Sequence, residues 1–204
     1  MQMLRNLIDD HKFTPEDVPA FEAKLFYEGP NRRGNLERYT VLLILSTIIA
    51  TYGIIGDASA TVIGAMIIAP MMRPIMATAA GLVMGDMKRA WSSFLVVLAG
   101  VAGVIGLAWF LTELPIASVI SFETNSQITG RISPRMIDLY AALASGAAGA
   151  FAMSRDDVAD SLPGVAIAIS VAIVVFVVGV ALAEGEWAAA GGAMLLFLTN
   201  FLSI

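Results

Sequence analysis

Residues 57–86 read DASATVIGAMIIAPMMRPIMATAAGLVMGD, and this stretch decides how the rest of the chain is interpreted. It is apolar enough to enter a bilayer, and a spanning helix needs only about 20 residues. Pro70 and Pro74 each lack a backbone N–H, and each pushes the preceding residue out of the helical region. Because unpaired carbonyls cannot face lipid, the break must be buried in protein or line an aqueous cavity. We therefore predict a broken membrane span.

Arg73 lies between the two prolines, near the middle of this span. Broken membrane helices that carry a charge at mid-depth are where transporters and channels place ion and substrate sites. The alternative is a simple proline kink whose arginine reaches a lipid headgroup. No acid lies near mid-depth in the predicted spans, so Arg73 must use freed carbonyls, water, an anion or the Asn200 amide. The predicted substrate or ion site is Arg73, Pro70, Pro74 and Asn200.

Composition indicates a membrane protein, with mean hydropathy +0.80 and 14% charged residues. A soluble domain carries about 25% charged residues. The absence of cysteine excludes disulfides, thiolate metal sites and cysteine nucleophiles. The net charge of -5 and the lack of a basic patch argue against nucleic-acid binding. The spans carry no histidine, no paired carboxylates and no serine motif, so we expect no enzyme activity, no metal and no cofactor.

We predict an all-α integral membrane protein with six spans in residues 36–204, preceded by a cytoplasmic arm in residues 1–35. The arm should hold an amphipathic helix from about Thr14 to Tyr27, which lies on the membrane surface or packs on a neighbouring subunit or on the arm itself. His11 is expected to be solvated. The six apolar runs are Tyr39–Ile55, the broken stretch 57–86, Trp91–Leu111, Met136–Met153, Gly164–Ala183 and Trp187–Ile204.

The positions of basic residues orient the spans. Most lysines and arginines precede the first span or lie between spans two and three, whereas the 184–186 turn carries only acids. The positive-inside rule then places both termini in the cytoplasm, in the cell (inner or plasma) membrane.

An offset of one hundred residues aligns Gly64 with Gly164, Gly85 with Gly185, and Asp86 with Glu186. This pattern suggests a 3+3 inverted repeat, which in transporters points to a mid-membrane site. The match is incomplete because span five has no interior proline, and we predict an unbroken helix there.

Shorter signals concern the ends and polar faces of the helices. Asp57 and Ser59 are expected to cap the second span, and Asp138 is expected to be a first-turn acid of span four. Serine and threonine in the spans, including Thr47 and Thr51, are expected to bond back to their own helices. The small residues of span four suit close helix packing and predict a homo-oligomer; they are Ala141, Ser145 and Gly149.

The stretch RYTVLLILSTIIATYGIIGDASATVIGAMIIAPMMRPI resembles the signature of a prokaryotic family of hydrophobic proteins, the domain of unknown function 389. FYEGP, ASGAAGAFA, PGVAIAIS and LLFLTNFLSI are also similar to that family, so the resemblance covers about residues 26–204. It implies a multi-span membrane protein, often with an additional soluble portion, and no established activity. This chain departs from the family pattern at Arg73, where a small residue is typical, and at Ile173 and Val174, where a Pro-Pro pair is common.

Two functions fit these observations. The first is a channel or transporter for an anionic or phosphate-bearing solute, with its site at the broken second span. The second is an oligomeric membrane protein that binds membrane lipid without transporting a solute. A cavity that reaches both membrane faces would favour the first, and a dry closed bundle would favour the second.

Overall fold

The computed structural model describes residues 22–23, 25–29, 31–115, 122–153 and 163–203. All regular structure in these ranges is helical, as predicted, and one short turn joins the Phe26 N–H to the Glu22 carbonyl at 2.9 Å. In chain order the helices are α1 (Arg32–Ile55), α2 (Ser59–Ile68), α3 (Met72–Val83), α4 (Met87–Thr112), α5 (Ser126–Thr129), α6 (Met136–Met153), α7 (Pro163–Ala183) and α8 (Trp187–Ser203).

Two of these helices, α1 and α4, are long and apolar enough to cross a membrane. The α2–α3 pair, bent by 51° at its break, passes the same test when it is taken as one span. Within the described residues, three shorter apolar helical stretches follow at Met136–Ala150, Val171–Ala183 and Trp187–Ser203. The structure thus gives two or three candidate spans, and the six-span arrangement stays a prediction.

The proline motif breaks the second span as the sequence predicts. α2 ends at Ile68, and Ala69, the residue before Pro70, is extended, with φ -61° and ψ 118°. α3 begins at Met72, so Pro74 lies in its first turn, where a missing N–H breaks no helical hydrogen bond. Pro70 therefore causes the break, whereas Pro74 fits the start of the next helix.

The turns at Gly85 and Gly185 share one geometry. Both glycines have positive φ, 73° and 77°, which costs a glycine little. In the first turn the Asp86 N–H donates to the Gly81 carbonyl, and in the second the Glu186 N–H donates to the Ala181 carbonyl, each at 2.9 Å. The hundred-residue spacing is therefore matched by equal turn geometry. The spans before the two turns differ, because α7 is unbroken, as predicted.

Helix α7 lies at the centre of the described bundle and contacts α4, α6, α8 and α2. Its residues 171–181 are all buried, and none of them has a polar side chain. Gly179 permits close packing on α4, because a Cβ there would lie 2.6 Å from the Ala108 Cβ and 2.8 Å from the Ile105 carbonyl oxygen. A helix that is apolar all round belongs in such a core.

The expected cap at the start of α2 is wrong. The N-cap residue is Ala58, and no side chain caps the helix. Asp57 instead accepts hydrogen bonds from the Ser126 hydroxyl at 2.7 Å and the Gln127 N–H at 3.3 Å, while Gln127 Nε2 donates to the Ser59 hydroxyl at 2.7 Å. Both predicted cap residues thus anchor α5 to the α1–α2 turn.

The expected first-turn acid of α6 is confirmed. Asp138 accepts from the Arg135 backbone N–H at 2.9 Å and pairs with its guanidinium at 3.2 Å.

Candidate functional site

Helix α1 presents a row of hydroxyl groups to the protein interior. The α1 hydroxyl stripe comprises Tyr39, Ser46, Thr47 and Thr51, all at most 6% exposed. α1 and α2 form a tight antiparallel hairpin, in which a Cβ on Gly53 would lie 3.0 Å from the Val62 Cγ2. Because the two helices are antiparallel, seven residues back from Gly53 along α1 and seven residues forward from Val62 along α2 cover the same distance. Ser46 therefore lies at the same depth as Ala69. The middle of the stripe thus lies at the depth of the break.

The hydroxyls of the stripe are not equally satisfied. Ser46 and Thr47 donate to the Leu43 carbonyl at 3.0 and 2.7 Å, as the sequence predicts. The Tyr39 and Thr51 hydroxyls have no hydrogen-bond partner among the residues that the structure describes. An unsatisfied buried polar group costs about 1–3 kcal/mol. The prediction that Thr51 bonds back to its own helix is therefore wrong, and no sequence pattern singled out the Tyr39 hydroxyl.

Arg73 makes its contacts with the arm. Its Nε donates to the Leu25 carbonyl at 3.3 Å, and its Nη2 donates to the Ala23 and Phe26 carbonyls at 3.4 Å. Its Cζ also lies 4.5 Å from the centre of the Tyr27 ring, a cation–π geometry. Arg73 thus covers the carbonyl end of the short helical turn at the end of the arm.

This arrangement corrects the expected partners of Arg73. It does use carbonyls, but they belong to the arm and were not freed by Pro70 or Pro74. The arm carbonyls lie about fifty positions earlier in the chain, and no local pattern connects them with the proline motif.

The end of the arm is held against α3 and α4. We call residues 22–23 and 25–28 the docked arm segment. Leu25 and Phe26 are 1% and 3% exposed and pack on Ala77 of α3. The start of the predicted arm helix at Thr14, and His11, lie outside the described residues.

Arg89 forms the second attachment of the docked arm segment. Its guanidinium lies 2.8 Å from the Glu22 carboxylate, 3.3 Å from that of Glu28 and 3.5 Å from that of Asp86. Its Cζ also lies 4.9 Å from the centre of the Phe26 ring. Two arginines, Arg73 of α3 and Arg89 of α4, therefore hold one short piece of the arm.

The two attachments differ in strength. The hydrogen bonds of Arg73 are 3.3–3.4 Å long, beyond the usual range of about 2.7–3.2 Å, and their acceptors are neutral. A carboxylate or phosphate would offer two charged acceptors to the planar guanidinium, which is the stronger arrangement. An anion that reached Arg73 could therefore displace the arm carbonyls.

The other predicted site residues are Asn200, Pro70 and Pro74. Asn200 is buried on α8, at 4% exposed, and the hydrogen bonds of Arg73 go to the arm and not to this amide. Pro74 is buried and Pro70 is half-buried beside the break. In the part of the chain that the structure describes, no group of three or more histidine, aspartate or glutamate side chains could hold a metal ion.

Two or three apolar helical stretches that are long enough to cross a membrane indicate an α-helical membrane protein. The family model of a domain of unknown function, DUF389, matches residues 66–204, and the chain belongs to this family. The chain is also 33% identical over 198 residues to an uncharacterised protein of Methanocaldococcus jannaschii. That alignment covers 96% of this chain and 59% of the archaeal protein. No solved structure matches the chain.

Proposed function

We propose that the protein is a channel or transporter for an anionic or phosphate-bearing solute, whose path passes the broken span at Arg73. The observation that carries the proposal is a permanent cation beside a broken span, which neutral carbonyls hold and which pairs with no carboxylate among the residues that the structure describes. A carboxylate partner would cancel the charge, whereas carbonyl partners leave it available to a solute. Arginine stays protonated at any accessible pH, so the site keeps its charge.

Thr51 of the α1 hydroxyl stripe supports this path. It is fully buried and lies on the far side of the level of the break from the arm. Its hydroxyl can donate a hydrogen bond to an anion and has no partner among the described side chains and backbone groups.

In this proposal the docked arm segment closes the cytoplasmic side of the path. It occupies Arg73, so a solute can bind there only after the segment leaves. Its ion pairs with Arg89 are partly exposed, and such pairs contribute only about 0–1 kcal/mol each. The attachment therefore depends mainly on the buried Leu25 and Phe26 side chains, and opening the path must expose both of them.

We further propose six crossings, cytoplasmic termini and a homo-oligomer in the cell membrane. On α4 the exposed Trp91 and Trp109 lie eighteen residues apart, about 27 Å, which suits the two interfacial belts of a bilayer. Exposed basic residues cluster at the Trp91 end of the molecule, among them Arg32, Arg33, Arg38 and Lys88. This end is the cytoplasmic one by the positive-inside rule.

The proposal is tested by reversal potentials of the purified protein in planar bilayers under a potassium chloride gradient. We expect anion selectivity, and we expect Arg73→Gly to fold and to lose the anion current. Arg33→Gln, which removes an exposed arginine, should keep both current and selectivity. If Arg73→Gly raises the melting temperature and leaves the current unchanged, the arginine only destabilises the protein and the proposed path is wrong.

A second candidate is a lipid-binding membrane protein without transport. The observation that favours it is the central stretch of α7, whose residues 171–181 are all apolar and buried in the core. Absence of any solute-specific current, even from a protein whose docked arm segment has been released, would favour this candidate.

A further inference from the structure

An apolar groove runs between α1 and α4 on the outer surface of the bundle. Its volume is about 490 Å³. It exists because the α4 wall carries Ala99, Gly100 and Gly103, whose small side chains leave a gap that larger residues would fill. The α1 wall extends from Leu36 to Thr47, eleven residues or about 16 Å along the helix.

The groove continues into a wider depression at the end of α1, which charged side chains border. This depression has a volume of about 740 Å³ and shares Leu36 and Thr40 with the groove. Its rim carries Arg32 and Arg33. Arg33 pairs with Glu37 at 2.9 Å, whereas Arg32 has no ion pair among the residues described here. The groove therefore opens toward a positive charge at the membrane surface.

Tyr39 forms part of the groove wall. Its side chain is 6% exposed, and its hydroxyl lies against Gly100 so closely that a Cβ on this glycine would collide with it. A tyrosine on one helix and a glycine on the other hold α1 and α4 together below the groove. The groove is thus a fixed feature of the packing between two helices.

We propose that this groove binds one phospholipid with an anionic headgroup. One hydrocarbon chain lies in the apolar groove, and the phosphate lies at Arg32 and Arg33. A hydrocarbon environment fills such a gap, because neither water nor an empty space is stable against apolar walls in a bilayer. Clusters of basic residues at the membrane surface attract anionic lipid, by about 1 kcal/mol for each lysine or arginine.

A second copy of this chain fits the groove less well than a lipid. A two-fold interface brings the same surface patch of both copies together. It would bring the arginine-bearing rims of both copies, with Arg32 and Arg33, into one interface, and like charges repel. An anionic lipid meets the same residues with the opposite charge. The inference does not depend on transport.

The test counts bound lipid by native mass spectrometry after exchange into micelles that contain palmitoyl-oleoyl phosphatidylglycerol or palmitoyl-oleoyl phosphatidylcholine. Gly103→Leu should fill the groove, since a Cβ at this position meets no atom within 4 Å. Gly106→Leu is the control, because this glycine also has open space but does not line the groove. We expect one retained phosphatidylglycerol in the unmodified protein and in Gly106→Leu, and none in Gly103→Leu.

The headgroup is tested separately. Arg32→Gln should lower the preference for phosphatidylglycerol over phosphatidylcholine by about fivefold, and Lys88→Gln, outside the groove, should leave it unchanged. Soluble glycerol phosphate should not displace the lipid, because it lacks the chain that fills the groove. The proposal is overturned if Gly103→Leu retains its lipid. It is equally overturned if Gly103→Leu dissociates an oligomer without loss of lipid, since a second copy then occupies the groove.

Discussion

At the scale of single residues, Arg73 is a permanent cation between two prolines, and an arginine in a bilayer needs partners. Its partners are the carbonyls of Ala23, Leu25 and Phe26, which carry no charge of their own. The arm resembles a surface helix when it is considered alone. Its contact with α3 depends on the direction that α3 takes after the bend at Pro70, and a local sequence pattern does not show this direction.

Arg89 should control how long the arm stays docked. Arg89→Gln removes the ion pairs with Glu22, Glu28 and Asp86 and the contact with the Phe26 ring. With each of the two partly exposed pairs to the arm worth about 0.2–1 kcal/mol, we expect cysteine placed at Ala77, which is buried against Leu25 and Phe26, to react with a maleimide about two to thirty times faster. Arg33→Gln serves as the control and should not change the rate. Equal rates in all three proteins would show that Arg89 does not hold the arm.

Asp57 should make stability depend on pH at the opposite end of α1. The hydrogen bond from the Ser126 hydroxyl, together with the Gln127 N–H, lowers the pKa of this carboxyl below its ordinary value. Since the folded-state pKa is the lower one, the stabilisation is present above the unfolded pKa of about 3.9 and is lost as the pH falls below it. The melting temperature should fall between pH 5 and pH 3, and fall less in Asp57→Asn. An identical decrease in both proteins would contradict this role.

At the scale of helices, the sequence predicts the existence and type of elements better than their ends. The first span is predicted to begin at Tyr39, whereas α1 begins at Arg32, because a polar first part with an Arg33–Glu37 pair continues the helix outside the apolar run. α4 begins at Met87 and not at Trp91, since the Asp86 side chain accepts from the Arg89 N–H and caps the helix. An apolar run predicts only the part of a helix that would lie in lipid, so the polar first turns of α1 and α4 fall outside it.

The contact between α3 and α4 depends on Gly81. A Cβ at this position would lie 2.7 Å from the Ala90 backbone nitrogen, which cannot move independently of its helix. Gly81→Ala should therefore lower stability by about 1–2 kcal/mol, because overpacking exceeds the gain in helix propensity. Gly64→Ala, where a Cβ meets no atom within 4 Å, should be neutral or stabilising by up to about 1 kcal/mol. Thermal unfolding in detergent ranks the two variants, and a more stable Gly81→Ala would show that the helices can separate freely.

At the scale of the whole molecule, composition was enough to predict an all-helical protein with apolar helices, and the quoted motifs were enough to identify its family. The repeat is less complete. The turns at Gly85 and Gly185 match in geometry, but α2 and α3 bend by 51° where α7 continues unbroken. The difference follows from the Pro70 motif, which has no counterpart in the Ile173–Val174 region.

The six-span topology is accessible to cysteine labelling, because the chain has no cysteine of its own. Cysteine at Glu123 should react with an impermeant maleimide from outside intact cells, and cysteine at Lys88 should react only after the membrane is opened. Both positions are exposed, so a cysteine that does not react lies on the other side of the membrane and is not simply buried. The reverse pattern, or reaction of both from outside, would contradict the topology.

The central claim is that Arg73 is an anion site closed by the docked arm segment. The most direct measurement is efflux of chloride and inorganic phosphate from proteoliposomes that contain the Glu22→Gln/Glu28→Gln protein, in which Arg89 has lost its two arm partners. The account predicts faster anion efflux than from the unmodified protein, and return to the rate of empty liposomes when Arg73→Gly is added. Efflux that stays fast after Arg73→Gly, or that is absent from the arm-released protein, would contradict it.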